Sequence, residues 1–578
     1  MRFMLRLIFI SLFLPAFAVA QAPKLGTPSD SKSPKPTATP GAVQPESSYV
    51  PEAQNDEKNP RALRLSLDDA VVIAVRQNLG VDISRYDYRI TGFNAQAAYG
   101  PFDYFATADA SRSSSTSPVV SSLQPSEAET TKLDFGLSQL LATGGQYSVG
   151  WTNRRSSSNA RFIDVNPAYD AGLTFSFNQP LLKNFGVDVT KRQIYIARNN
   201  LGISGEAFRN ALMLTTNSIE QAYLDLIFAR QNLGVKQESL GLAREQSRIT
   251  QIRIDVGASA PLDILQPNVA IATREEEMIT AEAQIRNAED RLRQLMNLPP
   301  EQWDQPIVPT TDIAYTAMPV DVIQAVARAM DLRPEIKQAQ LSTEIDRIDA
   351  LYFRNQLLPK LDFNVDYGSA GQGGTVFAAN PITGQPEVVD RTGIGTALED
   401  ILNFRNRSWT VGFNFAFPIR NIGAKANARA AELTLERSNY DQLQVKQNVA
   451  VQVRQAARDI ETLARQIVAT RVAVSAADQN VGAERKRFEN GLTTNFNVLL
   501  IQQQLSDARS NALFALVAYN KAISAYHQAV GDILEVNNIA VQEPQHFDLP
   551  DSRWGRYDFL NYSHYTDHKD LKPNVGNQ

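Results

Sequence analysis

Cysteine is missing from the chain altogether, which excludes disulfides, thiolate metal sites and lipid attachment at a cysteine after a cleaved leader. Past residue 17 no run of about 18 apolar residues occurs, so no transmembrane helix is available there. Charge of one sign is also lacking: the formal net charge is −5 over 578 residues, with no basic face for nucleic acid. No nucleophile elbow, Walker motif or paired-histidine zinc motif appears. The glycine-rich Gly371-Gln372-Gly373-Gly374 opens no helical pattern and reads as a loop. His564 and His568 lie four apart in a polar tail without a further ligand nearby. The sequence therefore calls for no catalytic residue, no metal and no cofactor.

What is there begins with an address. Arg2 and Arg6 precede an apolar run from Leu7 to Phe17, and Ala18-Val19-Ala20 places small residues at both cleavage-defining positions. This layout predicts a secretory signal over 1–20, too short to span a bilayer as a mature helix. Residues 21–60 are rich in Pro, Ser, Thr and Lys and nearly devoid of aromatics, a composition expected to form a disordered tether.

From residue 61 one order of elements is used twice. Each unit opens with two helical segments: Leu67 to Ala74 before Asn78 to Ile83, and Val322 to Ala327 before Asp331 to Ile336. Gly80 suits a helix C-terminus and Pro334 the first turn of a new helix. A strand-like region follows each, then a helical stretch over about 192–255 or 424–489, a glycine turn, and a further helix over 260–297 or 492–531. The expected division is a first repeat over 61–300, a link over 301–318, a second repeat over 319–540 and a polar tail over 541–578.

Strict alternation marks the strands, expected over about 102–111, 171–180, 360–368 and 408–418. Leu173, Phe175 and Phe177 share one face, as do Val411, Phe413, Phe415 and Phe417, and Leu361, Phe363, Val365 and Tyr367. The opposite faces carry Thr, Ser, Asn and Asp. A soluble sheet over a core would show such alternation. An aromatic face opposed to a polar one also suits lipid outside and a wet lumen inside. The Ser- and Gly-rich segments 111–130 and 368–406 read as external loops. A further hairpin is expected at 133–153, turning at Thr143-Gly144-Gly145, and its place inside or beyond a barrel is open.

The helices carry the other strong signal. Val449, Val453, Ala456, Ile460, Leu463, Ile467, Thr470, Val474, Ala477 and Val481 are spaced 4, 3, 4, 3 throughout, the seam of a coiled coil or of a helical bundle. A helix over 192–255 would be about 96 Å long, far beyond globular norms.

Together these features resemble the TolC family of outer-membrane efflux and secretion channels. The resemblance covers about 61–540 and rests on the duplicated plan and the strand ends Gln179-Pro180-Leu181-Leu182 and Phe417-Pro418-Ile419. It rests also on the glycine tips, each followed by a similar helix start (Leu262-Asp263-Ile264-Leu265-Gln266; Phe496-Asn497-Val498-Leu499-Leu500). The family implies a mixed α/β membrane protein: a homotrimeric 12-stranded β-barrel, four strands per copy, continued by a long coiled-coil α-helical barrel in the periplasm. It also implies passive export from the outer membrane with a periplasmic adaptor and an inner-membrane transporter as partners. Adaptor docking would fall on Val256, Gly257, Leu262, Asn490, Gly491 and Leu492, and a periplasmic gate on Asp255, Asp263 and Asn497. Leu173, Phe175, Phe177, Phe363, Val411, Phe413 and Phe415 would face outer-membrane lipid. Some members carry aspartates where this chain has Asn497 and Leu500, so its gate departs from that pattern. The competing reading is a periplasmic coiled-coil scaffold that binds partners and conducts nothing.

Overall fold

The computed structural model describes residues 60–118, 124–160, 163–379, 385–542, 544–547 and 549. The leader expected over 1–20, the tether up to residue 59 and the tail beyond 549, with His564 and His568, lie outside the described residues.

A short strand, β1 (Leu63–Leu65), leads into α1 (Leu67–Gln77) and α2 (Leu79–Ala97). The Ser66 hydroxyl accepts from the Asp69 amide at 3.1 Å, and Asp68 and Asp69 set negative charge at the positive end of α1. Asn78 ends α1 and starts α2, its side-chain oxygen accepting from Gly80 at 2.8 Å and Val81 at 3.2 Å. The break thus falls at Asn78, and Gly80, expected as a helix end, stands in the first turn of α2. An extended asparagine that caps the next helix removes the need for a left-handed glycine.

Four strands follow: β2 (Phe105–Thr116), β3 (Glu127–Leu140), β4 (Gln146–Ser158) and β5 (Val165–Pro180). The one-turn α3 (Val187–Thr190) precedes α4 (Arg192–Asp255) and α5 (Leu265–Met296). The second half runs through β6 (Ile307–Pro309), α6 (Val322–Leu332), α7 (Pro334–Asn355), β7 (Lys360–Ala379), β8 (Pro386–Arg391), α8 (Ile394–Leu402) and β9 (Asn406–Ala416). It closes with α9 (Ile422–Glu489), α10 (Asn495–Val530) and the one-turn α11 (Ile533–Val536). The two long helices have 64 and 68 residues, which at 1.5 Å per residue is about 96 and 102 Å.

The 4-3 spacing explains how they pack. From Val449 to Val481 every seam residue of α9 is buried or half-buried, and Val449, Val453, Ile460 and Ile467 form one core with Ala515, Tyr519 and Tyr526 of α10. Two fully buried tyrosines, one per repeat, fasten the link between the repeats. Tyr223 donates to the Leu65 carbonyl at 2.8 Å and accepts from the Thr311 amide at 3.2 Å. Tyr519 donates to the Thr316 carbonyl at 2.8 Å and accepts from the Met318 amide at 3.1 Å. β1 and β6 pair in parallel beside them. The start of the region expected as a tail is docked too: Phe547 is buried against Tyr88, Phe93 and Gly92 of α2.

All long strands join one antiparallel sheet in the order β2-β3-β4-β5-β7, with both β8 and β9 on β7. The hairpin around Gly144, whose place the sequence leaves open, lies inside this sheet, β3 on β2 and β4 on β5, so the sheet holds six long strands. One expectation is corrected here. Within the segments expected as loops, residues 111–116 belong to β2, 127–130 to β3, 368–379 to β7, 386–391 to β8 and 394–402 to α8. Ser and Gly are tolerated because, beyond an apolar band, neither face of a strand has to be apolar.

Candidate functional site

Register decides what each face of the sheet offers. Ala108, Phe135, Trp151 and Leu173 stand directly opposite one another across β2, β3, β4 and β5. The next row on that face is Ala106, Leu137, Val149, Phe175, Tyr367 and Trp409, spanning all six long strands. Phe177, Val365 and Val411 follow, then Phe363 opposite Phe413, and Leu361 opposite Phe415. Phe135 stacks on Trp151 at 5.7 Å between ring centres, and Phe363 tilts on Phe413 at 5.2 Å. Most of these side chains are exposed in a single copy, so the sheet presents one continuous apolar band, uncovered except where a short helix lies on it. Charge closes the band at its outer side, where Arg112 and Arg155 on the same face both pair with Glu129.

All seven side chains expected to meet lipid stand on this face, and one differs in its surroundings. Leu173 is half-buried under α8, which lies on the band with Ala397 and Ile401 against Ala171. The glycines at 371 and 373 make room for it, since a Cβ at either would collide with the carbonyl oxygen of Ala397 or Gly393. The glycine-rich run is therefore a strand surface that seats a helix.

The opposite face is polar. Ser176 donates to Asp366 at 2.7 Å, Asn178 donates to Asn364, and Gln372 donates to Asp170 at 3.1 Å. Asp109 stands opposite Asp134, and Lys132 opposite Arg154. Carboxylates, amides and hydroxyls in this number are stable only against water.

At the far end of the long helices the two repeats make matching tips. Gly257 and Gly491 adopt φ of +76° and +74°, left-handed values that suit glycine after a helix. Val256, Leu262 and Leu492 are 72%, 74% and 77% exposed, apolar side chains held out into solvent. Between α5 and α10 beside the tips lies a groove of about 640 Å³ lined by Leu265, Val269, Phe496, Leu499 and Leu500.

The side chains of the three polar residues expected at a gate each bond inside one tip, although the Asp263 carbonyl also accepts from Asn495 of the other repeat at 3.5 Å. Asp255 accepts from Gln251 at 2.8 Å, Asp263 accepts from the Ala260 amide at 3.1 Å, and Asn497 donates to Thr493 at 3.1 Å. Other residues tie one tip to the other. Asn495 of α10 donates to the Thr250 hydroxyl at 2.7 Å and accepts from Gln246 at 2.6 Å, and all three side chains are buried. Arg253 donates to the Phe488 carbonyl at 2.8 Å with its guanidinium 4.8 Å above the Phe488 ring. Arg274, also buried, donates to the carbonyls of Ser239 at 3.1 Å and Leu499 at 3.3 Å, and burial lowers its pKa from the usual arginine value. The sequence carried a signal for this lock. Ser239, Ala243, Gln246, Thr250 and Arg253 keep the 4-3-4-3 spacing of a buried seam while turning polar toward the tip.

Among the described residues no helix is long and apolar enough to cross a membrane, and no group of three His, Cys, Asp or Glu could hold a metal ion.

Comparison with known proteins adds a family. The family model described as outer membrane efflux protein matches residues 141–298 and 325–532. The outer membrane efflux protein BepC of Brucella suis biovar 1 is 21% identical over 386 residues, 65% of this chain and 76% of that protein. The solved Campylobacter jejuni CmeC outer membrane channel is 15% identical with a TM-score of 0.57, covering 88% of this chain and 94% of that one. The outer membrane protein VceC of Vibrio cholerae is 14% identical with a TM-score of 0.57, covering 80% and 96%. At such identity the two structures speak for the fold alone.

Proposed function

This chain belongs to the outer membrane efflux protein family, and from that premise we propose that three copies close into one passive conduit worked by partners at its periplasmic tips. Membership makes it an export channel of the outer membrane that extends into the periplasm, and it decides for a channel over a periplasmic scaffold. The family's members are transport channels, not enzymes.

One observation carries the finer reading: a single copy is unfinished along both of its sides. In the sheet β2 and β9 each have one neighbour, and both are exposed almost throughout. In the helices Leu79, Ile83, Tyr86, Ile90 and Phe93 of α2 form an exposed apolar stripe spaced 4, 3, 4, 3, and α9 exposes Leu433, Tyr440 and Leu443. Cyclic association of copies covers both, and a homotrimer matches the family's plan. The apolar band then meets outer-membrane lipid through Phe175, Phe177, Phe363, Val411, Phe413 and Phe415, and the polar face lines the lumen.

Conduction through such a lumen needs no chemistry from the wall, and energy comes from an inner-membrane transporter reached through a periplasmic adaptor. Val256, Leu262 and Leu492 around Gly257, Asn490 and Gly491 supply exposed apolar surface for that docking. The Asn495–Thr250–Gln246 lock and Arg253 hold the tips shut, and Asp255, Asp263 and Asn497 stiffen each tip.

The test is conductance in a planar bilayer, together with the oligomer seen on gels before and after heating. Wild-type protein extracted in detergent should run as a trimer and give discrete channels. An Ile83→Glu, Ile90→Glu double variant should lose the trimer. Protein released by osmotic shock, monomeric and without conductance, would overturn the proposal.

A further inference from the structure

The hairpin β3–β4 has consequences for the pore. We propose that it is part of the membrane wall, so that three copies close an 18-stranded barrel in which β9 of one copy pairs with β2 of the next. This rests on the trimeric reading above and concerns what each copy contributes to the ring.

Three independent features place the hairpin in the wall. Its backbone is paired on both sides: β3 with β2 from Glu127 to Ser138, and β4 with β5 from Gln146 to Ser156. Expelling it would break both ladders, and β2 and β5 would have to pair anew with each other, because no water satisfies open groups inside a bilayer. Its side chains keep the phase of the band, with Leu133, Phe135, Leu137, Val149 and Trp151 on the apolar face and Lys132, Asp134, Arg154 and Thr152 on the polar one. A hairpin standing in water would have no use for that division. Its turn is bolted down at the helical end of the sheet: the Gly186 amide donates to the Thr143 carbonyl at 3.1 Å, and the Thr143 hydroxyl donates to Gln179 at 2.9 Å.

The edges then fit a second copy. Direction alternates across the six strands, so β2 runs away from the helices and β9 runs back toward them. Side by side in neighbouring copies they are antiparallel, as an up-and-down barrel requires. Their lengths match at 12 and 11 residues. Both continue the division into faces, with Ala106, Ala108 and Ala110 on β2 and Trp409, Val411 and Phe413 on β9. Lipid tolerates no open edge, and within one chain six strands are too few to enclose a lumen.

Barrel diameter grows roughly in proportion to strand number, so this ring is about half again as wide as a 12-stranded one, in the range where barrels hold an aqueous channel. The narrowest part of the route then lies in the helices and the tips, and the outer-membrane segment sets no limit on bulky hydrated cargo.

A chain without cysteine allows a direct test by engineered disulfides in membranes. Val411→Cys combined in turn with Ala106→Cys, Ala108→Cys or Ala110→Cys should give covalent trimers for at least one pair. Ala108→Cys with Leu173→Cys should give no cross-link, because two strands separate them. A 108–173 cross-link alongside covalent trimers would put the hairpin outside the ring and sink the 18-stranded wall while leaving the trimer standing. If no pair links copies, the trimeric reading falls as well. Imaging of the wild-type assembly in lipid discs, with strands counted around the ring, decides the case independently of any variant: twelve strands overturns the proposal.

Discussion

Asn495 reaches from the second repeat to Thr250 in the first, donating to its hydroxyl at 2.7 Å, and accepts from Gln246 at 2.6 Å in the same buried site. It is a buried polar bolt between the two repeats beside the tips. Replacing Asn495 by Leu removes the bolt and leaves the Gln246 amide without its partner, at a cost of about 1–3 kcal/mol to the closed arrangement. That is roughly a 5- to 150-fold shift toward separated tips. Baseline conductance in a planar bilayer should rise in Asn495→Leu. Traces indistinguishable from wild type would show that the bolt does not hold the closed state.

The docking proposed at the tips uses apolar side chains that stand exposed in the free protein. Leu492 is 77% exposed beside Gly491. Burying a leucine contributes about 1.5–3 kcal/mol, and a carboxylate in its place removes that and adds a desolvation cost. Leu492→Asp should weaken capture of a periplasmic adaptor at least tenfold and stop export, with trimers still present in the membrane. Undiminished export would clear Leu492 of any docking role.

Much of this architecture is legible in the sequence, and the reasons differ by element. Alternation at 173–177 and 411–417 and the seam from Val449 to Val481 are local patterns with one periodicity each, and strands and a helix stand there. The place of the hairpin was not readable, because alternation gives a strand two faces without naming its neighbours. The pairing of Phe135 with Ala108 and Trp151 is a long-range fact. Outer strand ends look like loops in sequence because Ser and Gly there satisfy two wet faces. The tip lock escaped because Gln246 and Thr250 look like solvated helix positions unless the seam is followed through them.

The two faces of β9 give opposite expectations for neighbouring residues. Phe413 stands on the apolar band and Asn414 on the polar face. Arginine on the lipid side near the middle of a bilayer costs about 2–4 kcal/mol, whereas a wet lumen accepts it. Phe413→Arg should lower the amount of assembled protein and the unfolding midpoint in urea. Asn414→Arg should assemble normally and shift the channel's selectivity toward anions. Equal tolerance at both positions would deny that the band meets lipid.

Glu220 of α4 is a buried carboxylate whose pKa burial pushes above the usual glutamate value. Hydrogen bonds from Ser524 and Asn537, the latter at 2.7 Å, and the nearby His527 pull the other way without overcoming it. Because folding raises this pKa, the protonated form is the one the fold prefers. Its contribution is full below the ordinary glutamate value and declines as pH rises through the raised one. Relative to Glu220→Gln, which cannot titrate, the wild-type assembly should lose thermal stability steadily from about pH 4 toward neutrality. Melting curves of both proteins in detergent across that window provide the check. A gap between them that stays constant with pH would mean that Glu220 titrates in the fold as it does in the unfolded chain, and that burial there costs its charge nothing.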